Sequence, residues 1–167
     1  ENDVERAPLE YLAENPPALA DKTARALEHA ERRGDPRLLA KAHRLRGLWF
    51  QDQGRRDRER EHLSRALDYA RETDDPSLWA AASNEVGRVE THNGNLNAAE
   101  VRFEDGRRYA DKVGDTYQRL QSDLGVARVA TERGEILSAY RTLQRALEAA
   151  RQSGYRAIEG SVLGELA

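Results

Sequence analysis

A 40-residue register runs through the chain and restricts its fold more than any other feature of the sequence. Ala26, Ala66, Gly106 and Ala146 are spaced by it, as are Ala30, Ala70, Ala110 and Ala150. Gly54, Gly94 and Gly134 form a third column, Gly47, Gly87 and Ala127 a fourth, and Leu63, Phe103 and Leu143 a fifth. Trp49, Val89 and Val129 repeat in the same way. So do Asp35, Asp75 and Asp115, with Tyr155 breaking that column in the fourth copy. Self-similarity at this period means one supersecondary unit used several times, each copy covering the apolar face of the next.

Each column has a physical task. Asp35-Pro36 and Asp75-Pro76 put a capping carboxylate before a proline at the first helical position, where the missing N–H costs nothing. Asp115-Thr116 keeps the cap without the proline. Gly54, Gly94 and Gly134 follow 18 or 19 residues later, where a helix must end and the chain reverse. Second helices then run to about residues 73, 113 and 153, and Gly34, Gly114 and Gly154 mark turns back to a new first helix. A glycine inside a helix costs about 0.5–1 kcal/mol relative to alanine, so Gly47 and Gly87 require a neighbouring helix that comes close. Alanines 66, 70, 146 and 150 play the same part on the second helices, leaving room for Leu63, Phe103 and Leu143.

Composition agrees with a thin-cored helical stack. Hydrophobic residues make up 38% and charged residues 34%, and the prolines and glycines fall at intervals rather than in a flexible tract. With 167 residues the chain fits the rough guide of 100–200 residues for one domain. The absence of cysteine excludes disulfides, thiolate nucleophiles and cysteine metal sites. No apolar run approaches the roughly 18 residues of a membrane span, and no segment resembles a signal peptide, which makes the cytoplasm the default expectation. Arginine outnumbers lysine 24 to 3, and residues 32–60 carry ten Lys/Arg against four Asp/Glu. Within that segment, however, Arg55 to Glu61 alternate in sign, the pattern of a solvated helix face laced by i,i+4 pairs rather than of a nucleic-acid footprint.

The chain resembles the tetratricopeptide repeat family in its 40-residue form. The family pattern sets a small residue in the first helix, glycine at the hairpin turn, and small, large and small residues along the second helix. It is met by Gly47, Gly54, Leu63 and Ala66, by Gly87, Gly94, Ala99 and Phe103, and by Ala127, Gly134, Ala139, Leu143 and Ala146. Glu59, where a small residue is usual, and Gly106, where alanine is, depart from it. The likeness covers nearly the whole of 1–167, taken as one domain. It comprises a partial repeat at 1–33 with a second helix at about 17–33, repeats at about 34–73, 74–113 and 114–153, and a partial repeat at 154–167.

The fold implied is all-α, antiparallel helix hairpins stacked in a right-handed superhelix. Forty-residue repeats resemble those of bacterial signalling and transcription regulators and of animal spindle-orientation adaptors of the LGN/Pins type. The function implied is protein or peptide binding on the concave face, within the regulatory region of a larger bacterial signalling protein. The alternative is a sensory and oligomerising segment that controls a fused effector, such as a diguanylate cyclase or a DNA-binding regulator. Both ends read as cut, which makes the chain a fragment whose open repeat ends invite self-association.

First helices would line the binding face. Their outward positions are Lys41, Arg44, Leu48 and Gln51, then Asn84, Glu85, Arg88 and His92, then Gln121, Leu124, Arg128 and Glu132. Arg44, Asn84, Arg88, Gln121 and Arg128 form the candidate ligand set, since guanidinium groups suit bidentate carboxylate binding. The plainer reading pairs Arg88 and Arg128 with Glu85 and Glu132 as surface charges. Nothing points to catalysis or a cofactor. The four histidines lie at different repeat positions without metal spacing, the glycines serve turns rather than a phosphate loop, and no serine sits in a nucleophile elbow. Trp49, Trp79, Tyr69 and Tyr109 read as packing.

Overall fold

The helices lie where the caps and turn glycines place them. A computed structural model describes residues 16–166, and the described residues form eight α-helices with no strand. These are α1 (Pro16–Arg33), α2 (Pro36–Asp52), α3 (Arg56–Arg71), α4 (Pro76–His92), α5 (Leu96–Val113), α6 (Thr116–Glu132), α7 (Ile136–Ser153) and α8 (Arg156–Leu166). The expected partial repeat at 1–33 is therefore seen only in its second helix, α1, and residues 1–15 lie outside the described residues.

The three aspartates cap as their position requires. The Asp35 carboxylate accepts from the Arg37 amide at 2.9 Å, Asp75 from Leu78 at 3.1 Å and Asp115 from Gln118 at 3.0 Å. Each satisfies an amide that has no partner inside its own helix. An Asp115→Ala variant should lose about 1 kcal/mol; an unchanged urea midpoint would show that the α6 start is held by something else.

The hairpin turns repeat to within a few tenths of an ångström. The Gly54, Gly94 and Gly134 amides donate to the carbonyls three residues back at 2.9, 3.0 and 2.9 Å. The next amides, of Arg55, Asn95 and Glu135, reach five residues back at 2.9, 2.9 and 2.8 Å. That double closure needs a left-handed residue between the helices, and at Gly94 φ is +76°, a region open at little cost only to glycine.

Two compact units divide the chain, residues 1–78 and 79–167, and the division falls inside α4. In the first unit α2 packs on α1 and α3. Ala30, Leu39 and Ala42 form a buried cluster there, with Leu27, Leu38 and Tyr69 against it. Leu63 of α3 fills the space that Gly47 of α2 leaves open, since a Cβ at Gly47 would stand 2.6 Å from the leucine side chain. Arg46 ties α2 to α1, donating at 2.9 Å to both the Ala20 carbonyl and the Thr23 hydroxyl, with its guanidinium over the Trp49 ring.

In the second unit α6 packs between α5 and α7, and α8 against α7 and α6. Leu120, Ala127, Leu143, Ala146, Ala150, Ile158 and Val162 make its main core. Phe103 centres a second cluster with Ala99 and Val129. The departure at Gly106 has a cause here. Asn84 of α4 and Ser122 of α6 are bridged beside it, and a Cβ would meet both the Asn84 amide oxygen and the Ser122 hydroxyl, the latter at 2.9 Å. Glu59, the other departure, is buried with its carboxylate 3.1 Å from the Arg56 guanidinium.

Candidate functional site

The first-helix residues singled out by the repeat register fall in both units. In the first, Arg44 is half-buried on α2. In the second, Arg88 stands on α4 and Gln121 and Arg128 on α6, with α8 next in line.

Asn84 corrects the expected outward placement. It is 8% exposed, its amide nitrogen donates to the Gln118 carbonyl at 3.0 Å and side-chain oxygen at 3.2 Å, and its oxygen accepts from Ser122 at 2.8 Å. A buried amide left without these partners would cost about 1–3 kcal/mol. Its geometry therefore serves the α4–α6 join.

Arg88 pairs with Glu85, as the plainer reading expected, at 3.3 Å within α4. Arg128 takes a different partner from the one expected. Instead of Glu132 it meets Glu165 of α8, with Nε donating to Oε1 at 3.1 Å and a second nitrogen on the same oxygen. The register explains both arrangements. Glu85, Gly125 and Glu165 occupy one column, and Arg128 reaches the acid of the next first helix. Glycine stands at the corresponding place for Arg88, which turns to its own helix instead. Gln121 donates to the Tyr117 hydroxyl at 3.2 Å and holds no charge partner in that bond.

The result is a row on α4, α6 and α8 in which two guanidinium groups one repeat apart are each held by a carboxylate. The Arg128 and Glu165 side chains keep 41% and 27% of their surface. An ion pair that open to water contributes at most about 1 kcal/mol, so an incoming carboxylate can replace the resident one at little cost.

The sequence-level reading missed one constellation in the first unit. His43 of α2 and His62 of α3 stand with their Nδ1 atoms 3.0 Å apart in the buried seam. His43 also stacks on Tyr69 and His62 on Phe50. One Nδ1 must carry the proton and the other accept it. Burial, then the charges of His62 and Arg65, bring the His43 pKa down from 6.5 to about 4, with Glu61 opposing. His62 is lowered as well, again first by burial, against the pull of Glu61. The two residues are 19 apart, and the available signal was the Gly47–Leu63 contact, which brings α2 against α3 one turn from His43 and next to His62. Among the described residues no three His, Cys, Asp or Glu side chains are grouped to hold a metal ion, and no helix is long and apolar enough to cross a membrane.

Comparison of the chain with protein-family models and with curated proteins finds no match.

Proposed function

We propose that this chain is a non-catalytic tetratricopeptide-type scaffold that binds a protein or peptide segment through its first helices. Arg88, Gln121 and Arg128 would supply the polar contacts, and Arg44 would extend the same use of first-helix arginines in the other unit. The ligand chemistry that suits them is a peptide carboxylate, at a chain end or on acidic side chains. In this reading the protein acts in the cytoplasm as the regulatory region of a bacterial signalling protein.

The observation that carries the proposal is the arginine pair of the second unit. Arg88 and Arg128 recur at the repeat spacing on successive first helices. Their carboxylate partners, on the same helix for Arg88 and on α8 for Arg128, are partly wet rather than locked in a core. Such groups hold the guanidinium planes in position before a ligand arrives, which reduces the ordering cost of binding, and exchange for a ligand carboxylate conserves the charge balance.

The test is an array of peptides with free and amidated C-termini, read by fluorescence anisotropy against the wild type and an Arg88→Glu/Arg128→Glu variant. Binding that depends on carboxylate groups and weakens about tenfold or more in the variant, a loss of about 1.4 kcal/mol, is the expected result. Equal affinities for the two proteins would remove these arginines from any binding role.

A further inference from the structure

The second helices α3, α5 and α7 share one register, so an outward position of α7 can be compared with its counterparts in the two earlier copies. At the place of Leu137 those counterparts are Asp57 and Asn97, and at the place of Tyr140 they are Arg60 and Glu100. Of these three helices α7 alone carries large apolar side chains there, and they stand in water: Leu137 is 63% exposed, Tyr140 47% and the adjacent Ile136 61%. A single exposed leucine is ordinary. Three large apolar groups within five residues, where earlier copies are mostly charged or polar, form a patch of the kind that marks an interaction surface. The Gln144 amide donates to the Tyr140 hydroxyl at 2.7 Å and orients the ring.

One turn further on, Arg141, Gln144, Arg145 and Glu148 line a shallow depression of about 580 Å³. Its two arginines differ from most of their neighbours. Arg102, Arg107, Arg108, Arg119, Arg133 and Arg151 of the same unit all stand in ion pairs. Among the described residues neither Arg141 nor Arg145 does; Arg145 meets the Arg141 carbonyl at 3.4 Å and acts on the Asp123 carboxylate of α6 only through its charge, outside ion-pair distance. In a chain with 30 acidic and 27 basic residues, two cations beside an exposed apolar patch are the complement of an acidic amphipathic segment.

We infer that this face of α7 is a docking site for an acidic peptide segment of another protein. Two apolar side chains of the segment pack on Leu137 and Tyr140, and its carboxylates pair with Arg141 and Arg145. The apolar contact supplies the affinity and the charge-assisted hydrogen bonds set the register. The site is separate from the first-helix row, and neither depends on the other.

The experiment uses the full chain and a fluorescein-labelled peptide in which Glu and Asp surround a Leu and a Phe one helical turn apart. A control peptide has every acid replaced by lysine, and a single-stranded oligonucleotide serves as competitor. Two variants borrow residues native to earlier copies, so each is compatible with the repeat: Leu137→Asn with Tyr140→Glu, and Arg141→Glu with Arg145→Asp. Circular dichroism checks that both remain helical. The expected result is that the acidic peptide binds, the lysine peptide does not, and each variant weakens binding by about tenfold or more. The same measurements are repeated in an Arg88→Glu/Arg128→Glu background, where the first-helix row no longer competes for the carboxylates, and the affinity that remains there should show the same dependence on Leu137, Tyr140, Arg141 and Arg145. The inference is overturned if the acidic peptide does not bind, if both variants bind it as the wild type does, or if the oligonucleotide binds more tightly. A concentration-dependent dimer abolished by Leu137→Asn/Tyr140→Glu would give the face to a second copy and overturn it equally.

Discussion

Replacing Gly125 with leucine is expected to destabilise the 79–167 unit by about 3 kcal/mol, the upper end of what overpacking a well-filled core costs. Gly125 on α6 and Gly87 on α4 both face the Cδ1, Cε1 and Cζ edge of the Phe103 ring on α5. A Cβ at Gly87 would stand 2.9 Å from that edge, and one at Gly125 would lie closer still. The ring is 4% exposed and cannot move aside without disturbing Ala99 and Val129, which share its cluster. Leucine would be worth about 1 kcal/mol more than glycine by helix propensity alone, so the clash exceeds the net loss by about that amount.

Urea unfolding followed by Trp79 fluorescence, with Trp49 replaced by Phe, reports on this unit, because Trp79 is stacked on Tyr109 at 4.0 Å. The neighbouring copies hold leucine in the Phe103 column, at Leu63 and Leu143. Phe103→Leu in the Gly125→Ala background should therefore recover much of what Gly125→Ala loses, with a coupling of about 1 kcal/mol or more in the double-mutant cycle. Additive effects would mean that Gly125 and Phe103 do not meet.

Residues whose task is local were legible in the sequence. Asp35, Asp75 and Asp115 cap, and the turn glycines turn, because those functions depend on a few adjacent amides and one dihedral angle. Gly47 and Gly87 were legible too, since they share a column and face Leu63 and Phe103 of another column. Gly125 was not, because its column also holds Glu85 and Glu165, and a position that is polar in two copies reads as outward. Its partner Phe103 is 22 positions away and larger than the leucines of its own column, and the ring occupies the space a side chain at Gly125 would need. Asn84 failed for the opposite reason. Its column holds Arg44 and Leu124, so polarity there says little about direction, and its burial depends on Ser122 and Gln118 of another helix. At the candidate site the period could place Arg88 and Arg128 but could not choose their partners. Glu132 was one turn away and plausible; Glu165 won because α8 brings it onto Arg128 in two-nitrogen contact with one carboxylate oxygen.

Acidification from pH 6.5 to about 4 is expected to remove on the order of 3 kcal/mol of stability from the 1–78 unit through His43 alone. The sign follows from proton counts. In the unfolded chain His43 binds a proton as the pH falls below 6.5, whereas in the folded unit it stays neutral until about 4. The unfolded state thus holds more protons throughout that window, and stability rises with pH across it. The contribution is present in full above 6.5 and is lost as the pH approaches 4. His62 adds in the same direction, since burial lowers it too.

Several charged groups face the pair. Arg46 from α2 and Arg58 and Arg65 from α3 oppose protonation, while Glu61 favours it. A first proton still leaves one N–H···N bond between the rings, and the cost is the burial of its charge, His43 being 2% exposed. A second proton would set two N–H groups against each other. Replacing both histidines with leucine removes donor and acceptor together, a change that can be nearly neutral at pH 7, and should flatten the stability curve between pH 6.5 and 4. Urea midpoints read from Trp49 fluorescence, in a chain carrying Trp79→Phe, make the comparison, because the carboxylates contribute alike to both proteins. If the wild type and the double-leucine variant lose stability in parallel, the seam between His43 and His62 is not what makes this unit sensitive to acid.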